Sequence, residues 1–111
     1  VISGKDCDEQ ADAEEVAAQT VHCLKATVPA TLPGIVFLSG GQSDEQATRH
    51  LNEMNQLEGN PWPLSFSYGR AMQAAALKIW AKNPADVAAA QETVYARAKE
   101  NGLAALGEWE G

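Results

Sequence analysis

Two short stretches constrain this chain more than any other feature. Gly34 to Gly41 reads GIVFLSGG, and Leu64 to Arg70 reads LSFSYGR. Each is an apolar or aromatic run that passes through a serine, reaches a glycine and is followed by a segment of helical spacing. A strand that ends in glycine and opens into a helix leaves backbone N–H groups free at a positive dipole end, a ready place for a phosphate. Two such units in succession demand alternating strands and helices, hence right-handed crossovers and a parallel sheet.

The remaining residues read as helices and loops around these runs. Val1 to Gln10 is a polar loop. Asp12 is an N-cap with Glu15 as its capping-box partner, and Val16, Ala17, Thr20, Val21, Leu24 and Val28 keep helical spacing up to Pro29. Ile35-Val36-Phe37-Leu38 is β-branched and aromatic without polar alternation, the pattern of a strand buried on both faces. Ser43 caps the next helix with Gln46 as partner, Ala47, Leu51 and Met54 form its inner stripe, and Gly59-Asn60-Pro61 stops it. Leu64 to Tyr68 is the second strand. A helix from Arg70 then turns Met72, Ala75, Ala76, Ile79 and Trp80 inward. Asn83-Pro84 opens a last helix through Val87, Ala90, Val94 and Ala98 that frays at Asn101-Gly102, leaving the stretch to Gly111 as a tail.

Composition narrows the function. The 111 residues suit one domain, and 45% hydrophobic with 21% charged residues is the balance of an ordered globular chain. A net charge of −7 argues against non-specific binding to nucleic acid or anionic membranes, which needs a basic face. No apolar run approaches the roughly 20 residues of a membrane span, and no basic-then-apolar leader stands at Val1, so the expected location is the cytoplasm. Cys7 and Cys23 lack CxxC spacing and read as buried or idle thiols. His22 and His50 read as partly exposed helix residues without metal spacing, so neither a metal nor a cofactor is expected. Two parallel strands alone would leave both sheet edges unpaired and much apolar surface bare. The expected architecture is therefore α/β, the last two units of a (β/α) barrel, whose final loops commonly hold a phosphate.

The candidate chemistry lies at the two glycine turns. Ser39, Gly40 and Gly41 admit two readings: a cradle of N–H and hydroxyl donors for a phosphate, or a plain turn in which glycine supplies a positive φ. Ser67, Gly69 and Arg70 are more specific. A cation in a first helical turn opposes the helix dipole by roughly 0.3–1 kcal/mol, a cost that an anion seated between them would remove. An Arg fork also suits phosphate because it donates parallel hydrogen bonds. No GxSxG, HExxH or Walker-type lysine motif occurs, and Lys5 lacks the apolar setting of a Schiff-base lysine.

The runs GIVFLSGGQSDEQA and PWPLSFSYGRAMQAAALKIW, with an alanine-rich terminal helix containing AAQ, resemble the C-terminal third of class I fructose-1,6-bisphosphate aldolase. The stretch EEVAAQTVHCLKATVPATLPGI resembles the helix before that family's seventh strand. The resemblance implies a cytosolic, homotetrameric (β/α)8 barrel enzyme of glycolysis. Such an enzyme cleaves fructose 1,6-bisphosphate to dihydroxyacetone phosphate and glyceraldehyde 3-phosphate through a lysine Schiff base, without metal. It assigns Ser39, Gly40, Gly41, Ser67, Gly69 and Arg70 to one substrate phosphate. It also makes residues 1–111 the C-terminal part of a single barrel domain, with strands seven and eight. The family's Schiff-base lysine, in a Lys-Pro-Asn-Met-Val run, would fall just before Val1. The metal-dependent class II aldolases need a His cluster that two histidines do not make. The alternative expectation is a truncated, non-catalytic phosphate-binding or scaffold protein.

Overall fold

Helix α1 (Ala13–Thr27) is followed by β1 (Ile35–Phe37), α2 (Asp44–Gln56), β2 (Leu64–Phe66), α3 (Arg70–Lys82) and α4 (Val87–Ala105). This is the order in a computed structural model that describes all residues, Val1–Gly111. The strands pair in parallel, Ile35 opposite Leu64, Val36 opposite Ser65 and Phe37 opposite Phe66. Parallel pairing with α2 as the crossover brings the C-terminal ends of both strands, and the loops that follow them, to the same end of the sheet.

Local signals place the helix starts. Asp12 accepts from the Glu15 N–H at 2.8 Å, one half of the expected capping box. Ser43 and Gln46 form the complete reciprocal box. The inner stripe of α2 is as expected, with Ala47, Leu51 and Met54 all buried. Leu51 and Met54 pack with Ala17, Val21, Trp62, Leu64, Ala104 and Trp109 in one core.

The C-terminal region differs from expectation. Helix α4 is capped by Asp86, whose side chain accepts from the Ala89 N–H, while Asn83 ends α3. It does not fray at Asn101-Gly102. Asn101 is fully buried, and its side chain accepts from the Thr48 hydroxyl at 2.7 Å. The helix ends instead in a Schellman motif: Gly107, at φ +72°, donates to the Ala104 carbonyl, and Glu108 donates to the Leu103 carbonyl. The supposed tail is docked, because Trp109 is buried and its backbone N–H and C=O both bond the Asn52 side chain at 3.0 and 3.1 Å.

Two expected burials fail within this chain, while the thiols prove exposed rather than buried. Val36 on β1 and Leu38 just after it are exposed, since one face of the two-stranded sheet packs on helices and the other meets nothing. Trp80 is 56% exposed and, with Leu77, Val87 and Val94, borders an apolar groove of about 710 Å3 between α3 and α4. Cys7 and Cys23 are both exposed free thiols. His50 departs in the opposite sense: it is buried, on the face of α2 that looks toward the N-terminal segment.

Candidate functional site

The loop after β1 is a tight turn. The Ser39 carbonyl accepts from the Gln42 N–H at 3.0 Å, and Gly41 takes φ +79°, the left-handed conformation that the third position of a type II turn requires. A side chain there would be strained, so the glycine is explained by the turn. Gly40 and Gly41 donate no backbone hydrogen bond to a carbonyl of the chain. Ser39 is buried, while both glycines are exposed.

The loop after β2 is tied to the first. The Ser67 N–H donates to the Phe37 carbonyl at 2.8 Å, extending the parallel ladder by one rung. Tyr68 donates its hydroxyl to the Ala47 carbonyl of α2 at 2.8 Å. Burial, partly opposed by the Arg97 charge, pushes the Tyr68 phenol up to about 12, so it stays a donor throughout the ordinary pH range. Gly69 is the N-cap of α3 and supplies no side-chain cap. The first turn of α3 therefore opens with Arg70, exposed and without a carboxylate partner.

Strand pairing thus brings Ser39, Gly40 and Gly41 beside Ser67, Gly69 and Arg70 at one end of the sheet. They do not share one cavity. Gly40 and Gly41, with Gln46 and His50, form one wall of a cavity of about 530 Å3 whose other wall is the N-terminal segment with Ser3 and Lys5. The second trio lies outside that cavity, on the open side of α3. Lys5 is exposed.

His50 shapes the cavity. Its Nδ1 lies 2.7 Å from Gln42 Oε1, so the loop after β1 and α2 are joined through a ring whose tautomer the pairing selects. Burial, helped by the positive charge of Arg49, holds the His50 pKa below its ordinary value. The imidazole is neutral at neutral pH, and as a hydrogen-bond donor to Gln42 it helps fix the turn. No group of three or more His, Cys, Asp or Glu side chains is placed to hold a metal ion. No helix is long and apolar enough to cross a membrane.

Two further residues belong to this arrangement: Tyr68, between Ser67 and Gly69, and Arg97. The signal for Tyr68 was its position in the loop; Arg97 was the one arginine in an alanine-rich helix. The side chain of Arg97 is 12% exposed and reaches the backbone beside both glycine turns.

The family model for fructose-bisphosphate aldolase class-I matches residues 1–111. A protein of Xanthomonas axonopodis pv. citri named "Probable fructose-bisphosphate aldolase class 1" is 72% identical over 112 residues, covering 100% of this chain and 34% of that relative. Fructose-bisphosphate aldolase 1 of Toxoplasma gondii is 52% identical, over 100% of this chain and 31% of its own length. A chloroplastic fructose-bisphosphate aldolase 2 of Arabidopsis thaliana is 51% identical over 100% of this chain and 28% of its own length. A solved fructose-bisphosphate aldolase of Plasmodium falciparum, in complex with TRAP and a small molecule inhibitor, superposes with a TM-score of 0.92 at 46% identity, over 98% of this chain and 31% of that one. The chain spans about a third of the length of the relatives it matches.

Proposed function

The chain belongs to the class-I fructose-bisphosphate aldolase family, and from that premise we propose that it supplies the substrate-phosphate site of such an enzyme. The full-length protein reversibly cleaves fructose 1,6-bisphosphate to dihydroxyacetone phosphate and glyceraldehyde 3-phosphate through a lysine Schiff base. It does so in glycolysis, as a cytoplasmic homotetramer. Residues 1–111 form the C-terminal part of its single (β/α)8 barrel domain, with β1 and β2 as strands seven and eight. The reacting lysine belongs to the part of the enzyme outside this segment.

The observation that carries the reading is the uncapped start of α3 beside the free glycine amides of the β1 loop. Gly40 and Gly41 offer backbone donors, and the first turn of α3 offers an open positive dipole end with Arg70 on it. One phosphate placed between the two loops would accept from both, with Ser39 and Ser67 as hydroxyl donors at the strand ends. Its charge would also relieve the repulsion between Arg70 and the α3 dipole. The uncovered face of β1 supports the barrel assignment, because Val36 and Leu38 then become part of the packed barrel interior. The exposed groove of Leu77, Trp80, Val87 and Val94 likewise becomes surface that other parts of the enzyme can cover.

Borohydride reduction of the full-length protein with dihydroxyacetone phosphate tests the chemistry: a covalent adduct on one lysine is expected, and failure to trap any lysine would overturn the Schiff-base assignment. Arg70→Ala tests the site, with an expected loss of roughly 2–3 kcal/mol in bisphosphate binding, the scale of a charge-assisted contact left unmade. Unchanged affinity would remove Arg70 from it.

A further inference from the structure

We infer that Arg97 is a positioning residue for the proposed phosphate site, setting the distance between its two halves; this rests on the reading of that site given above. Arg97 lies on α4, away from both loops in sequence. Its Nη2 donates to the carbonyl of Asp44, the first residue of α2, at 2.8 Å. Its Nε donates to the carbonyl of Ala71, the second residue of α3, at 3.3 Å. Asp44 follows the Ser39–Ser43 loop, and Ala71 follows Arg70 directly. One guanidinium therefore holds the start of α2, which follows the Gly40-Gly41 loop, and the start of α3, which carries Arg70. Because the fork is planar and rigid, it fixes the relative placement of the carbonyls it holds in a way an ammonium on a flexible stem cannot.

The surroundings keep the fork in place. Nη2 also donates to Thr48 Oγ1, Nη1 is paired with the Glu100 carboxylate, and the Thr48 hydroxyl bonds Asn101 Oδ1 at 2.7 Å. Stability alone is a poor account of this arrangement. A mostly buried guanidinium against two helix N-termini is desolvated and opposes both dipoles, and buried ion pairs are often replaced by apolar residues at no loss of stability. Held geometry is what such a fork contributes and an apolar residue would not.

Inorganic phosphate titrated into the full-length enzyme, with dissociation constant and number of binding sites both measured, tests the inference. Arg97→Lys should raise the phosphate dissociation constant about tenfold, as expected when a fork is replaced by a single point of contact. A purely structural role would instead reduce the number of competent sites and leave their affinity alone, and that result would overturn the proposal. In an Arg70→Ala background, Arg97→Lys should add less than it costs alone, because part of its effect passes through the placement of Arg70; fully additive losses would overturn it. If Arg97→Lys does not fold, Thr48→Val decides the matter, with a smaller loss of phosphate affinity expected and an unchanged constant counting against it. Should Arg70→Ala itself leave phosphate binding intact, the site reading falls and this inference with it. A loss in Arg70→Ala without one in Arg97→Lys overturns the positioning role alone.

Discussion

The two βα units share a strand, a serine and a glycine, yet their helices begin in opposite ways. Helix α2 closes on itself. Ser43 and Gln46 exchange hydrogen bonds at 3.0 and 3.2 Å, and Asp44 and Glu45 place carboxylates in the first turn, where they complement the dipole. Helix α3 is left open, with a glycine N-cap, no side-chain cap and Arg70-Ala71-Met72 as its first turn. In the first unit the free donors are therefore loop amides, at Gly40 and Gly41. In the second they are the helix N-terminus itself and a guanidinium. On the proposed reading, a shared motif in sequence has become two different kinds of anion donor.

The contrast breaks most sharply at Gly69. A Cβ at Gly69 meets nothing within 4 Å and its φ is −93°, so a side chain fits there without strain. Gly69→Asp gives α3 the acidic start that α2 already has. A carboxylate about 4 Å from a bound phosphate opposes it by roughly 4 kcal/mol at an effective dielectric near 20. Bisphosphate binding to the full-length protein, measured by calorimetry, should fall by at least about two orders of magnitude while the melting temperature holds or rises. Binding that survives an aspartate here would place the anion elsewhere.

The converse substitution is milder. Ser43→Ala opens the start of α2 by removing its cap and should cost about 1 kcal/mol of stability in denaturant unfolding. Phosphate affinity should be unmoved, since the cap already occupies those donors. A loss of affinity comparable with that of Arg70→Ala would mean that α2 contributes its own N-terminus, and the distinction between the units would fail.

What was legible in the sequence follows the same division between local and distant interactions. Asp12, Ser43 and Gln46 act within one helical turn, and their spacing announces them. The strands, the parallel crossover and the inner stripe of α2 are likewise written in local periodicity, and the glycine turns carry enough pattern to mark a candidate site. The C-terminal region is not written that way. The apolar spacing of Val87, Ala90, Val94 and Ala98 marks a stripe on α4, but within this chain that stripe borders an open groove. The helix's inward residues include polar ones: Asn101 meets Thr48 and Arg97 meets Asp44, and beyond the helix Trp109 is held by Asn52 of α2. Buried polar residues look like surface residues until their partners, about 50 positions away, are known. Nothing local marks Arg97 for that reason, and the helical spacing that turns Trp80 inward does not show that its groove is open.

The smallest expected effects separate the units by pH. In the first unit, His50 is buried beside Gln42 with its pKa below the ordinary 6.5. The unfolded chain then binds more protons than the native one as pH falls below 6.5. The stability that neutral His50 contributes is whole above that pH and is lost as pH falls through the depressed native value. In the second unit, Tyr68 has the reverse sign. Its phenol is raised from 10.0 to about 12, so its contribution is whole below pH 10 and is lost as pH rises through about 12. His50→Gln should flatten the acid limb of a stability–pH profile and leave the alkaline limb alone; Tyr68→Phe should do the opposite, at a cost of about 1 kcal/mol for the bond to Ala47. Amide hydrogen exchange should then show the β1 loop loosening first in acid and the β2 loop first in alkali. If both loops loosened together at either extreme, the two halves of the site would be one cooperative piece, and the fork of Arg97 would join them more tightly than their separate helix starts imply.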